Sequence, residues 1–298
     1  MIHFELSGVD TMWWLPIVIA FVVSAVSSTG GLSGAVFLLP IQVSLFGFAG
    51  PSVSSTNLFF NVIASPGGVY RYWHEKRLVT PIVRATVMGT LPGVFIGALL
   101  RIWVLPDAAS FKPFVGAVLL ILGVRLLIDV MTSKDRINGN GNGGSFHVSN
   151  EHFNLKRLGF TFEGVNYEVS TQGVLSLSLV VGIIGGAYGL GGSAIISPFL
   201  VAVFGLPIHV VAGACLLGAF FTSTVGVIFY WAIAPLFDRT GFAISPDWAL
   251  GALFGIGGLA GTYVGARFQK RLPPRIIKSV LGIIVVGIAL FYLKTLLK

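Results

Sequence analysis

Ten apolar segments run along the chain, separated by short polar or glycine-rich stretches. None shows the alternation that membrane β-strands require, so the pattern predicts helices. No charged residue lies between Asp10 and Arg71 or between Glu168 and Asp238. Because a helix needs about 20 apolar residues to cross a bilayer, each uncharged stretch has room for several crossings. The segments are 13–29, 33–48, 51–70, 82–102, 111–131, 173–188, 192–206, 208–234, 248–267 and 276–296.

The last five segments repeat the sequence features of the first five. Residues 30–73 match residues 188–231, with Gly-Leu-Ser-Gly at 31–34 corresponding to Gly-Leu-Gly-Gly at 189–192. Five is an odd number of segments, so the second copy is predicted to be inverted. The sequence thus predicts an all-α polytopic membrane protein built from two inverted five-segment repeats. The predicted divisions are an extracytoplasmic N-terminus (1–12), a first membrane repeat (13–131), a cytoplasmic loop (132–172) and a second membrane repeat (173–296).

The distribution of basic residues supports the inversion independently. In copy one they lie between the third and fourth segments, at Arg71, Lys76, Arg77 and Arg84. In copy two they lie between the fourth and fifth, at Arg267, Lys270, Arg271, Arg275 and Lys278, where the matching first-copy loop has only Arg101, Asp107 and Lys112. Lys and Arg favour the cytoplasmic side of a membrane. Placing both clusters and the central loop there predicts that both termini are extracytoplasmic.

The first two segments of each copy are short and need not cross the membrane fully. About 16 residues span roughly 24 Å as a helix, against a hydrocarbon core of roughly 30 Å. A glycine cluster separates them, so each pair is predicted to form a broken-helix hairpin that enters and leaves on one side. Inverted repeats with discontinuous helices are typical of secondary transporters, whose site lies near the midplane where the repeats meet.

Composition excludes a water-soluble protein. The 298 residues are 55% hydrophobic and 10% charged, with mean hydropathy +0.90, whereas soluble domains have about 25% charged residues. The lipid bilayer is therefore a predicted partner. The net charge of +8 is interpreted as a topology signal, so no nucleic-acid partner is expected. A single cysteine, Cys215, excludes an intramolecular disulfide and any multi-cysteine metal site.

No motif for catalysis is present. The sequence contains no HExxH or GxSxG motif and no paired carboxylates. We expect no enzyme activity, no catalytic residue, no metal and no cofactor.

The chemistry available at membrane depth favours an anion. The segments contain no Asp, Glu or Lys away from a helix end, which disfavours a cation site. A helix that starts after a glycine break presents free N–H groups and a partial positive charge, which suit a small anionic substrate. The candidate substrate-binding residues are Gly30, Gly31, Ser33, Gly34, Asn57, Asn61, Ser65, Gly189, Gly191, Gly192, Ser193 and Ser223.

Simpler roles remain open for several residues. Asn57 and Asn61 lie one turn apart, and an interhelical hydrogen bond is the alternative to a substrate contact. The matching copy-two residues are Cys215 and Ala219, so copy one would supply more donors. Close helix packing is the preferred role for Gly93, Gly97, Gly261 and Gly265. In the central loop, residues 160–169 alternate around a turn and could form a small hairpin, either as a connector or with a regulatory role.

These features resemble the TauE/SafE family of sulfite exporters, also called the four-toluene sulfonate uptake permease family. The resemblance covers about 13–296 and is carried by Gly-Leu-Ser-Gly at 31–34, Ser-Thr-Asn-Leu at 55–58, Leu-Pro-Gly at 91–93 and Gly-Leu-Gly-Gly-Ser at 189–193. Ser33 departs from it, standing where the family's first break commonly has glycine. The resemblance implies movement of sulfite, sulfoacetate or related sulfonates across the bacterial inner membrane, with no cofactor.

Export by alternating access is the preferred hypothesis. An inside-negative potential favours anion exit by about 2.3 kcal/mol per charge per 100 mV, so export needs no coupling carboxylate. The alternatives are proton-coupled sulfonate uptake, a passive anion channel and, more weakly, a non-transporting scaffold or receptor. The substrate, its direction and the formation of a homodimer are left open.

Overall fold

The computed structural model describes residues 1–29, 32–132, 148–240, 243–268 and 274–294. Ten α-helices dominate this part of the chain, and each one covers a predicted apolar segment. They are α1 (Trp14–Thr29), α2 (Ala35–Ser44), α3 (Pro51–His74), α4 (Thr80–Trp103), α5 (Ala108–Thr132), α6 (Thr171–Tyr188), α7 (Ser193–Phe204), α8 (Ile208–Ile233), α9 (Trp248–Phe268) and α10 (Pro274–Lys294).

Within the described ranges, five helices are long and apolar enough to cross a membrane by length and composition. They cover Thr80–Trp103, Ala108–Ile128, Thr171–Tyr188, Val210–Phe237 and Trp248–Phe268. The second helix of each half is much shorter. α2 has 10 residues and α7 has 12, so they extend about 15 and 18 Å and fall short of a full crossing.

Glycines bring helices of the two halves into backbone contact. Gly93 and Gly97 of α4 lie on the backbone of α6, and Gly261 and Gly265 of α9 lie on the backbone of α1. A Cβ atom at Gly97 would come within 2.1 Å of the Ile183 carbonyl oxygen. The packing role predicted for these four glycines is confirmed.

The relative directions of two helix pairs follow from contacts at other glycines. α3 and α8 are antiparallel, because Leu58 packs against Gly226 and Gly68 packs against Leu216. α5 and α10 are also antiparallel, as the pairs Gly116 with Tyr292, Gly123 with Val286 and Leu127 with Gly282 require. The contacts between elements come in pairs that are related by exchanging the two halves. α4 packs on α6 as α9 packs on α1, and α3 packs on α9 as α8 packs on α4. In the same way, α2 packs on α3 as α7 packs on α8.

Two small sheets lie outside the helices. β1 (Ile2–Phe4) and β2 (Val9–Thr11) form a hairpin before α1. β3 (Val148–Phe153), β4 (Arg157–Phe162) and β5 (Val165–Ser170) form an antiparallel sheet in the central loop, with β4 in the middle. Leu158, Phe160 and Phe162 of β4 are buried, and the sheet contacts α4 and α6. The sequence analysis did not anticipate β1, β2 or β3.

Candidate functional site

The breaks between α1 and α2 and between α6 and α7 meet on α3. The Ser33 hydroxyl, in the first break, donates a hydrogen bond to Oδ1 of Asn61. Nδ2 of Asn61 donates to the carbonyl oxygen of Leu190, in the second break, at 2.9 Å. One buried amide of α3 is therefore bonded to both breaks.

The first break is tightly packed, and one of its side chains already bonds a backbone N–H group at the start of α2. Ser33 Oγ accepts a hydrogen bond from the backbone N–H of Ala35, the first residue of α2, at 3.2 Å. Gly34 lies against Ser24 of α1, where a Cβ atom would come within 2.4 Å of Ser24 Oγ. Gly30 and Gly31 lie outside the described residues.

The second break requires glycine for two separate reasons. Gly189 and Gly191 have φ of +85° and +58°, a region in which other residues are strained. They are also too close to their neighbours for a side chain, because a Cβ at Gly189 would lie 2.3 Å from the Ser54 carbonyl oxygen and one at Gly191 would lie 2.2 Å from Ser223 Oγ. Gly192 lies similarly close to Thr90. Ser193 begins α7, and its side chain lies outside what the structure describes.

Four buried serine hydroxyls have no hydrogen-bond partner among the described residues: one is Ser197 of α7, and the other three lie at or near the breaks on α1, α3 and α8. These three belong to Ser24, Ser65 and Ser223, each exposed by 1% or less. Ser24 borders Gly34 and Ser223 borders Gly191, while Ser65 follows Asn61 by one turn of α3. An unsatisfied buried polar group costs about 1–3 kcal/mol and calls for an explanation. A polar ligand at the breaks would provide one.

Asn57 has a different environment from Asn61. Its Oδ1 accepts a hydrogen bond from Gln42 Nε2 at 3.3 Å, and its Nδ2 donates to the Ala35 carbonyl oxygen at 3.1 Å. Both partners belong to α2, so in this conformation Asn57 makes the interhelical bond that the sequence left open. Of the two asparagines, only Asn61 contacts both breaks.

Comparison with known proteins identifies the family of this chain. Residues 16–292 match the sequence profile of the family described as Sulfite exporter TauE/SafE. This chain belongs to the TauE/SafE family. The resemblance inferred from the motifs is confirmed, and TauE/SafE proteins are membrane transporters rather than enzymes. The structure and the family together give a multi-pass membrane transporter.

One curated relative is the "Probable membrane transporter protein YunE" of Bacillus subtilis (strain 168). It is 22% identical over 285 residues, which cover 93% of this chain and 96% of the relative. The similarity therefore spans both halves and the central loop of this TauE/SafE chain. No solved structure matches significantly.

The structure of this TauE/SafE protein also corrects the sequence analysis at Arg101, which was assigned to the loop after the fourth segment. Arg101 lies inside α4 and is fully buried. Its Nε donates to Ser54 Oγ at 3.1 Å and its NH2 group donates to the Ala49 carbonyl oxygen at 2.6 Å, while its guanidinium lies 3.7 Å from the centre of the Phe111 ring. Its position one residue before the end of the predicted segment 82–102 was the available signal.

Asp247 is a second polar residue assigned to a loop and found buried. Its Oδ1 accepts from the backbone N–H of Leu250 at 3.0 Å, which caps the start of α9. Its own N–H donates to Thr56 Oγ1 at 2.9 Å, and its Oδ2 has no partner among the described residues. Sequence reasoning missed this contact because α9 and α3 are distant along the chain.

Proposed function

We propose that this TauE/SafE transporter exports a small sulfur-containing anion, namely sulfite, sulfoacetate or a related organosulfonate. The observation that carries the proposal is the hydrogen bonding of Asn61 to both helix breaks, with unpartnered hydroxyls of Ser24, Ser65 and Ser223 at or near them. The anion binds where the breaks meet, near the membrane midplane.

The donors suit an oxyanion. Serine hydroxyls and the second N–H of the Asn61 amide, which the bond to Leu190 does not use, can each donate to a sulfur-bound oxygen, and hydrogen bonds to a charged group are stronger than those between neutral groups. The starts of α2 and α7 add the partial positive charge of a helix N-terminus. The bound anion satisfies hydroxyls that otherwise remain buried without partners.

The two halves act as inverted repeats in this proposal. The antiparallel pairs α3 with α8 and α5 with α10 support it, because each joins an element to its counterpart in the other half. The exchanged contacts, α4 on α6 and α9 on α1, support it as well. With an odd number of segments per repeat and the basic clusters in the cytoplasm, both termini are extracytoplasmic.

Transport proceeds by alternating access around the anion. The two broken hairpins and their partner helices rock about α3 and α8, so that the site opens first to the cytoplasm and then to the outside. The membrane potential favours exit of the anion, and the step needs no coupling carboxylate.

Counterflow in proteoliposomes tests this function. Vesicles loaded with unlabelled sulfite should accumulate external radiolabelled sulfite transiently, with a rate that saturates with concentration. A rate that is linear in concentration, without counterflow, would indicate a passive channel. A strict requirement for an inward proton gradient would indicate coupled uptake, and no flux of sulfite, sulfoacetate or toluenesulfonate would contradict the proposal.

A further inference from the structure

Arg101 is a buried cation that the proposed anion site does not use. It lies near the end of α4 with none of its surface exposed. A guanidinium keeps its charge in proteins, and burying it without an opposite charge is costly. Within a membrane transporter, such residues mark the path of ions or substrates.

The partners of Arg101 do not neutralise it. Its three contacts are the Ser54 hydroxyl, the Ala49 carbonyl oxygen and the Phe111 ring, and all are uncharged. No carboxylate among the described side chains lies within 4.0 Å of it. The nearby Asp107 accepts hydrogen bonds from the Ser110 backbone N–H and hydroxyl, which lower the pKa of its carboxyl group, and the charge of Arg101 lowers that pKa further from beyond 4.0 Å.

One edge of the guanidinium is left free. Nε and the NH2 group are both bonded and fix the plane of the side chain, whereas NH1 is buried and has no hydrogen-bond partner among the described residues. The free N–H groups therefore have a fixed direction. A guanidinium presents its donors in a planar fork that matches the oxygens of an oxyanion.

Ser54 connects Arg101 to the second break. The Ser54 hydroxyl that accepts from Arg101 donates in turn to the Ala187 carbonyl oxygen at 3.0 Å, in the last turn of α6. The Ser54 backbone packs directly on Gly189. One residue thus separates the guanidinium from the proposed anion site, and Arg101 lies on the side where α4 ends, which is extracytoplasmic in the proposed topology.

We propose that NH1 of Arg101 is a second anion subsite, which receives the oxyanion between the helix breaks and the extracytoplasmic side. This inference rests on the proposed function and adds a residue that selects for negative charge. The matching position in copy two is Gln269, taken from the alignment of Gly97-Ala98 with Gly265-Ala266, and it lies outside the described residues. At this aligned position only the first copy has a cationic residue, which gives the path a direction.

The test compares charge-removing variants at two positions of α4. Arg101→Gln removes the proposed contact, Arg101→Lys keeps the charge without the fork, and Arg84→Gln removes an exposed charge from the same helix as a control. The measured quantity is the Kd for sulfite of the purified protein, from the sulfite-dependent rise in unfolding temperature. The KM and maximal rate of efflux from proteoliposomes are measured alongside.

We expect Arg101→Gln to raise the Kd and KM for sulfite at least tenfold, which corresponds to about 1.4 kcal/mol. Arg101→Lys should raise both several-fold, and Arg84→Gln should leave both unchanged. A purely structural role would lower the unfolding temperature by the same amount with and without sulfite, so an unchanged Kd in Arg101→Gln would overturn the inference.

Two further outcomes have separate meanings. If Arg101→Gln does not fold, Arg101→Lys decides, and a Kd within twofold of the wild-type value would overturn the subsite. If the wild-type protein neither binds nor moves sulfite, sulfoacetate or toluenesulfonate, the proposed function fails and the subsite fails with it. Binding by the wild type with equal binding by Arg101→Gln leaves the function standing and removes the subsite alone.

Discussion

At the scale of the residue, the proposed site depends on hydroxyls that the fold leaves unsatisfied. Ser223 and Thr224 are neighbours on α8 with opposite environments. Ser223 is fully buried and its hydroxyl has no partner in the described part of the chain, whereas the Thr224 hydroxyl donates to the Phe220 carbonyl oxygen of its own helix at 2.8 Å. The two residues therefore allow a comparison between a hydroxyl that is hydrogen-bonded within its helix, that of Thr224, and one that we propose binds the anion, that of Ser223.

Ser223→Ala should leave the free energy of unfolding unchanged to within about 1 kcal/mol, or raise it, because the substitution removes an unsatisfied buried group. The same variant should weaken sulfite binding about tenfold, since it loses a hydrogen bond to a charged ligand. Unfolding temperature and sulfite Kd are the measurements, with Thr224→Ala as the control. Unaltered sulfite affinity in Ser223→Ala would exclude this hydroxyl from the site.

Residue-level chemistry was only partly predictable from the sequence. Asn61 and Ser33 stood out because amides and hydroxyls are unusual at membrane depth. Asn57 stood out equally, and its bonds to α2 could not be distinguished from a substrate contact without the fold. Arg101 was assigned to a loop, because hydropathy locates helix ends only to within a turn. Asp247 does lie in the loop before α9, but hydropathy does not indicate that other elements bury it.

At the scale of the element, the second break requires glycine both for its positive φ angles and for its close contacts with neighbouring helices. Gly191 and Gly205 both have positive φ, at +58° and +67°. A Cβ at Gly191 would meet Ser223, whereas a Cβ at Gly205 would meet nothing within 4 Å. Alanine substitutions at the two positions therefore separate the effect of backbone strain, which both share, from that of a steric contact, which only Gly191 has.

Gly205→Ala should lower the free energy of unfolding by about 1 kcal/mol, from backbone strain alone. Gly191→Ala should lower it by about 2–4 kcal/mol, because strain and a steric clash add together. Denaturation in a mild detergent, followed by tryptophan fluorescence, measures both. Equal losses in the two variants would show that the contact between Gly191 and Ser223 has no part in stability.

The breaks were predictable as elements because glycine clusters interrupt apolar runs in matching places of the two copies. Their meeting on α3 was not, since it depends on contacts between residues more than a hundred positions apart, such as Asn61 with Leu190. β3 was missed for a different reason: its polar, exposed residues lack the alternation of a half-buried strand.

At the scale of the whole molecule, the proposed topology places the two sheets on opposite sides of the membrane. The hairpin of β1 and β2 precedes α1 and belongs outside, and the sheet of β3, β4 and β5 belongs to the cytoplasm. Leu6 and Leu155 are exposed positions near these sheets, 41% and 73% accessible. The only cysteine of the chain, Cys215, is buried and can be replaced to give a background free of thiols.

In a Cys215→Ala background, a membrane-impermeant maleimide added to intact cells should label Leu6→Cys and not Leu155→Cys. Permeabilised cells should label both. The reason is the positive-inside rule, which assigns the basic clusters and the central sheet to the cytoplasm. Labelling of Leu155→Cys in intact cells would reverse the orientation, and labelling of both positions there would contradict the inverted arrangement.

The central claim is a single anion site where the two breaks meet, and ligand-dependent stabilisation of the purified protein tests it most directly. The measurement compares unfolding temperatures with sulfite, sulfoacetate, thiosulfate, sulfate, taurine and toluenesulfonate for the wild type and for Asn61→Ala. A ligand at a hundred times its Kd stabilises the folded state by about 2.7 kcal/mol. We expect a selective rise with a sulfur oxyanion that Asn61→Ala abolishes while remaining folded. No rise with any anion in folded wild-type protein, or an equal rise in Asn61→Ala, would contradict the claim.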